Sequence, residues 1–430
     1  MPRETTLAAQ LAEEAAERFL RYARIDTKSD EDSDTYPSTA GQLDLLRLLR
    51  DELEEAGLAD AAIDEHGYVT ATLPATVGHE VATIAWFAHV DTAREVSGAG
   101  VSPQRIRYEG GEIRLGDSGQ SILPEQSSEL ANHVGHELIT TDGTTLLGAD
   151  DKAGVAEIMA AVAHLASQPE IPHGPVKIAF NPDEEIGRGV VHFPVETFGA
   201  TAAYTVDGST AGELQAETFS GAQVRVQIRG RAIHPGWAKG ELVNAIKVAA
   251  EIVSRLPQGR LSPETTEGRE GYVHPVLVQG DSSQVELRLI ARDFENDRLT
   301  EHVAFLCSLA EEVGAAEPRC TVEVEGRIQY RNTRDALEQH PEIVANLEEA
   351  IRRVGLEPRQ TAIRGGTDGS ALSEMGLPTA NVFTGGHDAH SEREWICVED
   401  MGLAAAALVE LARVWAEPPA PLAGDGSRRA

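Results

Sequence analysis

Helical and strand-like patterns alternate along the first half of this chain, and this alternation limits its possible folds more than any other feature. Apolar residues recur at helical spacing in GQLDLLRLLRDELEEAG and DKAGVAEIMAAVAHLAS, whereas VATIAWFAHVDT and PVKIAFNPDEE are short apolar runs typical of buried strands. Strands that alternate with helices predict an α/β fold, in which a mostly parallel sheet is covered by helices. The same alternation returns after residue 327.

Two stretches interrupt this pattern. Between Val96 and Asp142 the sequence is rich in glycine and resembles a series of hairpins, which predicts a long insertion of the kind that is often functional. From residue 212 the order strand, helix, strand, strand, helix, strand is ferredoxin-like and predicts a separate α+β domain. We therefore expect a large domain in two parts, 1–211 and 328–416. An inserted domain at 212–327 would separate these parts, and a disordered tail would follow at 417–430.

Composition excludes several classes of partner. The chain has 70 acidic and 37 basic residues and a net charge of -33, which argues against nucleic acid and anionic membrane surfaces. Its three cysteines, Cys307, Cys320 and Cys397, are far apart, so we expect neither a disulfide framework nor a thiolate zinc site. The N-terminus predicts an acidic amphipathic helix rather than a signal peptide, and no stretch is apolar enough to span a bilayer. These features favour a cytoplasmic location for the protein.

Residue types that bind metals follow directly on apolar, strand-like runs. In an open parallel sheet the carboxyl ends of the strands meet at one edge, so these side chains are predicted to converge on one crevice. A single aspartate after a strand is often only a turn residue or a helix cap, but several carboxylates brought together need a cation or protonation. The residues concerned are His89 and Asp91; Asp150 and Asp151; Asp183, Glu184 and Glu185; Asp207; and His387, Asp388 and His390.

The chemistry of these residues selects the metal. Imidazole with carboxylate, and without thiolate, suits zinc, with cobalt or manganese as substitutes. Five ligands exceed what one catalytic zinc ion takes from a protein, but they suit two ions that share one carboxylate and hold a water between them. Glu184, next to a candidate ligand, could then serve as the base. The candidate ligands are His89, Asp150, Glu185, Asp207 and His390.

The motifs around these residues closely resemble a known family. They are HVDT, TTDGTTLLGADDKAG, PDEEIG, YTVDG, HPGWAKG and FTGG followed by HSERE. Together they resemble the large dinuclear zinc family of aminopeptidases, carboxypeptidases and deacylases, and within it the tripeptide aminopeptidases, from about Glu13 to Trp415. The resemblance implies a zinc-peptidase catalytic domain with an inserted lid and dimerisation domain. It also implies two zinc ions per chain, a homodimer and release of the N-terminal residue from tripeptides.

The resemblance also implies roles for individual residues. Asp91 would orient the imidazole of His89, and Glu184 would be the general base. A cis peptide bond would join Asp150 to Asp151, which would be a helix cap or a supporting group. In the metal pair, Asp150 would bridge both ions, His89 and Asp207 would complete one, and Glu185 and His390 would complete the other.

Further candidates come from the resemblance of the inserted domain and of the region after it. His234 matches a histidine that reaches a substrate carbonyl oxygen from the partner subunit. Arg292 and Arg364 would hold the peptide and its C-terminal carboxylate, and the alternative for each is an ordinary surface or salt-bridged arginine. Asn244 would contact substrate or serve only as a helix N-cap.

The sequence departs from the family pattern in two places. VDGS replaces the more usual VDGG beside Asp207, a change too small to disturb a ligand. FTGGHDAH places His387 and Asp388 where the family usually has an aromatic residue and Asn, which introduces a rival ligand three residues before His390. We favour His390 because HSERE preserves the spacing to a following acidic residue.

Several related activities would use the same metal centre. A dipeptidase, a carboxypeptidase or an N-acyl-amino-acid deacylase is the nearest alternative to a tripeptide aminopeptidase. A metal-dependent binding protein without catalysis is an alternative of another class, but it would not need Glu184 beside Glu185.

Overall fold

The computed structural model describes residues 6–417, so the tail predicted to be disordered lies outside the described residues from residue 418 onward. The α-helices are α1 (Leu7–Tyr22), α2 (Ala40–Glu55), α3 (Ala149–Ser167), α4 (Val195–Phe198), α5 (Ala245–Ser254), α6 (Asn296–Ala316), α7 (Arg334–Leu337), α8 (Pro341–Arg353), α9 (Asp368–Glu374) and α10 (Val398–Ala416). Within residues 6–417, no helix combines the length and apolar character needed to cross a bilayer.

The strands range from two to ten residues in length. They are β1 (Ala62–Ile63), β2 (Val69–Leu73), β3 (Ile84–His89), β4 (Gln104–Arg107), β5 (Ile113–Leu115), β6 (Gln120–Ile122), β7 (Glu137–Thr140), β8 (Val176–Asn181), β9 (Ala202–Gly208), β10 (Glu213–Thr218), β11 (Ser220–Arg229), β12 (Tyr272–Gly280), β13 (Gln284–Asp293), β14 (Thr321–Tyr330), β15 (Arg359–Ile363), β16 (Thr379–Phe383), β17 (Gly386–His387) and β18 (Trp395–Cys397). Within residues 6–417, four 3-10 helices lie at Leu130–His133, Glu184–Ile186, Pro235–Trp237 and Pro263–Thr265.

The chain divides into two compact units. The first contains the residues up to Leu214, His340–Gln360 and the residues from Gly376 onward, and the second contains Gln215–Gln339 and Thr361–Met375. Residues 361–375, predicted as part of the large domain, are thus grouped with the second unit. Ser370 there hydrogen-bonds to Thr218 over 3.1 Å. Gly366 lies so close to Tyr330 that a Cβ atom would come within 2.2 Å of its ring.

The first unit contains the predicted parallel sheet. Strands β8, β3, β9 and β16 are neighbours in that order, and each adjacent pair is parallel, whereas β2 pairs antiparallel with β8. Every residue of β3 is buried, including Trp86 and Phe87, because helices cover the sheet. This confirms the α/β prediction. The carboxyl ends of the four parallel strands meet at one edge of the sheet.

Helix α3 approaches the end of β9 very closely. A Cβ atom at Gly154 would lie 1.8 Å from the carbonyl oxygen of Val206, so only glycine allows this approach. Asp150 and Asp151 precede the regular part of the helix and have non-helical backbone angles. The Asp151 side chain accepts a hydrogen bond from the N–H of Gly154 over 3.2 Å, so it caps the helix.

The interruption between Val96 and Asp142 folds as the hairpin-like sequence predicts. Strands β5 and β6 form an antiparallel pair, and β4 and β7 join β17 and β18 in a four-stranded sheet in the order β17, β18, β7, β4. Tyr108, Leu138 and Trp395 are among the buried residues of its small core. The insertion is therefore connected to the segment that follows β16.

The second unit contains a ferredoxin-like domain. Its elements follow the order β11, α5, β12, β13, α6, β14, and the strands lie in the order β12, β13, β11, β14 with each adjacent pair antiparallel. Alternate residues of β11 and β13, such as Val224, Val226, Leu287 and Leu289, are buried in the core. This confirms the predicted α+β order.

Candidate metal centre

His89, the last residue of β3, places Nε2 of its ring beside two carboxylates. Its Nδ1 lies 3.1 Å from the carbonyl oxygen of Asp91, and since that oxygen can only accept, Nδ1 carries the proton. Its Nε2 is 3.0 Å from Oδ1 of Asp150 and 3.8 Å from Oδ1 of Asp207. A histidine held in this way by a carbonyl is typical of metal ligands.

Asp150 also belongs to a second group of ligands. Its Oδ2 is 3.2 Å from Nε2 of His390, and the same nitrogen is 3.0 Å from Oε2 of Glu185. Ligand atoms of His89, Asp150 and Asp207 lie within 4.8 Å of one another, as do those of Asp150, Glu185 and His390. The structure thus brings all five candidate ligands together, and Asp150 belongs to both groups.

The electrostatics of the site favour bound cations. Burial raises the pKa of Glu185 to about 7 and that of Asp207 to about 6, and the charge on Asp150 adds to both shifts. Burial also acts against the charge on Asp150, but hydrogen bonds with His390 and His89 outweigh it and lower the pKa of that carboxyl. Oε1 of Glu185 is buried with no hydrogen-bond partner among the described residues. Two imidazoles and three carboxylates without a thiolate fit zinc.

Glu394 holds the loop that presents Asp150. Its buried carboxylate accepts the backbone N–H groups of Leu147, Gly148 and Asp150 over 2.8, 2.7 and 3.0 Å. The peptide bond between Asp150 and Asp151 is cis, as the resemblance implies. Glu394 has no role predicted from the sequence, although its spacing from His390 within HSERE marks it as the acidic residue that follows the ligand.

Asp91 connects His89 to the turn that carries the acidic pair. Its Oδ1 is 3.3 Å from Nδ1 of His89. The two oxygens of the same carboxylate also accept the N–H groups of Glu184 and Glu185 over 2.9 and 3.1 Å. Asp91 therefore fixes both a candidate ligand and the backbone of the candidate base.

Asp183 fixes the same turn from its other end. Its backbone has a positive φ of 59°, which is uncommon for a residue other than glycine. Its buried carboxylate accepts hydrogen bonds from the N–H of Ser38 and from Nε2 of Gln42, each over 2.7 Å. These contacts offset the strain and hold the turn Glu184–Ile186 in one conformation.

His387 lies apart from the two ligand groups around Asp150. It is only 7% exposed, and its ring stacks on Trp395 with the centroids 4.3 Å apart. His390, which has a positive φ of 59°, contacts Asp150 and Glu185 instead. The structure thus places His390, and not His387, beside Asp150 and Glu185.

In the second unit, His234 presents a hydrogen-bond donor to solvent. It precedes the 3-10 helix Pro235–Trp237, and its Nδ1 accepts the N–H of Gly236 over 3.1 Å. In the neutral ring the proton is therefore on Nε2, and the side chain is exposed. Asn244 is the N-cap of α5 and accepts the N–H of Ile246 over 2.9 Å, as the simpler interpretation of that residue predicts.

The two candidate arginines of this unit are held by backbone carbonyls. Nη1 of Arg292 donates to the carbonyl oxygens of Ala222 and Ala291 over 3.2 and 2.9 Å. Nη1 of Arg364 donates to the carbonyl oxygens of Gly268 and Glu270, and its Nη2 donates to Thr266. Binding a substrate carboxylate through the same donors would require these hydrogen bonds to be released.

Comparison with known proteins identifies the family. Residues 128–414 match the sequence model described as Peptidase family M20/M25/M40. The chain is also 47% identical to peptidase T of Shouchella clausii over 407 residues, which cover 95% of this chain and 99% of that protein. The chain belongs to the M20/M25/M40 peptidase family. This M20 protein is therefore a peptide hydrolase, and metal dependence is typical of its family.

Solved structures agree with the M20 fold. The crystal structure of aminopeptidase PepT from Bacillus cereus is similar with a TM-score of 0.71 and 25% identity, covering 94% of this chain and 99% of that one. A dinuclear metal-binding M20 peptidase from Bacillus subtilis gives a TM-score of 0.61 at 16% identity, covering 94% of this chain and 98% of that one. In the present chain, two groups of candidate ligands share Asp150.

The two neighbouring histidines of this M20 protein provide a first test. His390→Ala is expected to bind one zinc ion fewer than the wild type and to lose peptidase activity, because His390 contacts both Asp150 and Glu185. His387→Ala, three residues away, is the control for activity and is expected to retain a measurable rate, because His387 does not belong to the ligand groups around Asp150. Metal analysis and kcat of the two purified variants check this prediction. Loss of activity in His387→Ala, with activity retained in His390→Ala, would show that His387 is the ligand of the peptidase centre.

Proposed function

We propose that this chain is a tripeptide aminopeptidase that uses two zinc ions to release the N-terminal residue of a tripeptide. The observation that carries the proposal is the position of Asp150, because its two carboxylate oxygens contact different histidines. Oδ1 is 3.0 Å from Nε2 of His89, and Oδ2 is 3.2 Å from Nε2 of His390. A shared carboxylate of this kind suits two metal ions about 3.5 to 4 Å apart.

Each of the two ligand groups that share Asp150 would hold one ion. His89 and Asp207 would hold one ion, Glu185 and His390 would hold the other, and Asp150 would be shared, with cobalt or manganese as substitutes for zinc. When bound, the two ions would polarise the scissile carbonyl and make a water molecule more acidic.

Glu184 is proposed as the general base. It would take a proton from the attacking water and deliver a proton to the leaving amine. Its backbone is fixed by the hydrogen bond from its N–H to Asp91 and by the contacts of the preceding Asp183, so the base would act without reorganising the turn. A protein that only bound metal would not need such a base, which supports catalysis over simple binding.

The choice of tripeptides over related substrates rests on the similarity to peptidase T. The test compares hydrolysis of a free tripeptide, its N-acetylated form and a dipeptide by the zinc-loaded enzyme. We expect rapid release of the N-terminal residue from the free tripeptide alone. Faster cleavage of the N-acetylated form would indicate a deacylase. Preference for the dipeptide would indicate a dipeptidase, and release of the C-terminal residue would indicate a carboxypeptidase. The Glu184→Gln variant, purified in parallel, controls for contaminating peptidases.

A small peptide is the proposed substrate, and the proposed location is the cytoplasm. The free thiols of Cys307, Cys320 and Cys397 suit a reducing compartment. The net charge of -33 argues against nucleic acid and anionic membrane surfaces as partners.

His234 is proposed to act across a homodimer, in which the inserted domain of one chain completes the site of the other. The exposed Nε2–H of His234 suits a donor that stabilises the oxygen on which charge develops. His234→Ala is therefore expected to keep the dimer and its zinc but to lower kcat by about 10² to 10³, as removal of one such donor typically does.

Subunit mixing tests the dimer hypothesis. A mixture of His234→Ala and Glu184→Gln chains is expected to recover activity, because each mixed dimer has one site with both groups intact. His274→Ala, also in the second unit, serves as a control that keeps the wild-type rate. No recovery after verified subunit exchange would mean that His234 acts within its own chain or has no catalytic role.

A further inference from the structure

We propose that His133, His387 and Asp400 bind a further zinc ion, separate from the pair around Asp150. His133 ends the 3-10 helix Leu130–His133, His387 lies in β17, and Asp400 lies in the first turn of α10. All three side chains are buried, and one ligand atom of each lies within 4.8 Å of the others. The ion would join three segments that are distant in sequence.

His133 has the same arrangement as His89. Its Nδ1 is 2.9 Å from the carbonyl oxygen of Glu129, which can only accept, so Nδ1 carries the proton. Its Nε2 is 2.8 Å from Oδ2 of Asp400. In the neutral ring the lone pair of Nε2 therefore faces a buried carboxylate, and the contact requires a cation, which is either a second proton on the ring or a metal ion.

The hydrogen bonds of His387 favour a metal ion over a proton as the cation in this cluster. Its Nδ1 is 3.4 Å from Oγ of Ser209, whose own hydroxyl donates to the carbonyl oxygen of Gly386 over 2.6 Å. Oγ of Ser209 can therefore only accept from His387, so Nδ1 carries the proton and Nε2 keeps a bare lone pair. This Nε2 is buried and has no hydrogen-bond partner among the described residues.

The cluster therefore contains more lone pairs than one proton can satisfy. A proton between His133 and Asp400 would satisfy those two side chains and leave Nε2 of His387 unpaired, which is unfavourable in a buried site. One metal ion would use the lone pairs of all three residues.

The ligand chemistry selects zinc. Two imidazoles and one carboxylate are ligands that zinc accepts in tetrahedral sites. His136 and Cys397 form another possible group with His133, but the Cys397 thiol already donates a hydrogen bond to Oε2 of Glu399 over 3.5 Å. His133 has a single nitrogen left for a metal, and that nitrogen lies beside Asp400. We therefore assign Asp400 and His387, rather than the thiol, as its partners.

The sequence departure at His387 now has a structural explanation. Where the family usually has an aromatic residue, this chain has a histidine that still stacks on an aromatic ring, that of Trp395. The substitution retains the aromatic packing and adds a metal-binding nitrogen. The proposed site is distinct from the pair used for peptide hydrolysis, and it does not depend on the proposed activity.

Metal analysis of the full-length, zinc-loaded protein tests the site. His387→Phe keeps a ring against Trp395 and removes both nitrogens, so it is expected to lower the zinc content by one ion per chain while peptidase activity persists. His390→Ala should also lose one ion, but with loss of activity. His173→Phe is the matched control, because His173 is buried and its Nδ1 donates to a backbone carbonyl outside the cluster. It should retain the wild-type zinc content.

Anomalous diffraction at the zinc edge, from crystals of the wild-type protein loaded with zinc, locates the ion without any substitution. A peak between His133, His387 and Asp400 supports the proposal even if His387→Phe fails to fold. No peak at that position, or an unchanged zinc content in folded His387→Phe, overturns it. A peak at the cluster with none around Asp150 would support this site and instead defeat the proposed dinuclear centre.

Discussion

The Glu184→Gln variant is expected to keep the zinc content of the wild type and to lose about 10² to 10⁴ in kcat. The substitution removes the proton acceptor but not a ligand, because Glu185 is the residue that contacts His390. The turn should survive, since the N–H of Glu184 is held by Asp91 and that hydrogen bond does not involve the substituted side chain. Zinc analysis and steady-state kinetics with a free tripeptide measure the two effects separately.

Two matched variants make this result interpretable. Glu196→Gln, an exposed carboxylate on α4, should leave both zinc content and kcat unchanged. Glu185→Gln should lower the zinc content, because its carboxylate belongs to a ligand group. If Glu184→Gln lost zinc while Glu185→Gln kept it, the roles of the two glutamates would have to be exchanged.

The main features of the site follow from local sequence patterns. Buried parallel strands are continuous apolar runs, and their carboxyl ends meet at one edge of the sheet, so the residues that follow those runs must converge. His89, Glu185 and Asp207 could therefore be placed from strand patterns alone. Asp150 follows an apolar run that is not a strand of the parallel sheet, and the resemblance to the zinc peptidases was needed to identify it as the shared ligand.

Long-range hydrogen bonds could not be predicted in this way. Glu394 accepts three N–H groups from residues 147–150, and such a contact between side chain and backbone leaves no periodic pattern in either segment. The same holds for His133, whose partner Asp400 lies in a different helix. The sequence separates such residues by hundreds of positions, and only the packing of the hairpin insertion against the C-terminal segment brings them together.

The domain boundaries could be predicted from the sequence only in part, for a related reason. Strand and helix periodicity identified the six ferredoxin-like elements, because each has its own apolar face. Residues 361–375 have no pattern that assigns them to either unit. Their place in the second unit depends on tertiary contacts, such as the close approach of Gly366 to the ring of Tyr330.

The largest loss of metal is expected from Asp150→Ala. Its two oxygens contact His89 and His390 separately, so removal of this one carboxylate should weaken both halves of the site. We expect two zinc ions fewer per chain than in the wild type and activity no higher than that of the zinc-free protein. Asp207→Ala is the matched control, because Asp207 belongs to one ligand group only and its loss should remove a single ion.

Thermal unfolding gives an independent measure of the same difference. A ligand that binds only the folded state stabilises it in proportion to the logarithm of its concentration over Kd. Added zinc should therefore raise the Tm of the chelator-treated wild type more than that of Asp207→Ala, and that of Asp207→Ala more than that of Asp150→Ala. If Asp150→Ala and Asp207→Ala each lost one ion and responded equally to zinc, Asp150 would serve a single metal. The shared carboxylate on which the proposed dinuclear mechanism depends would then be excluded.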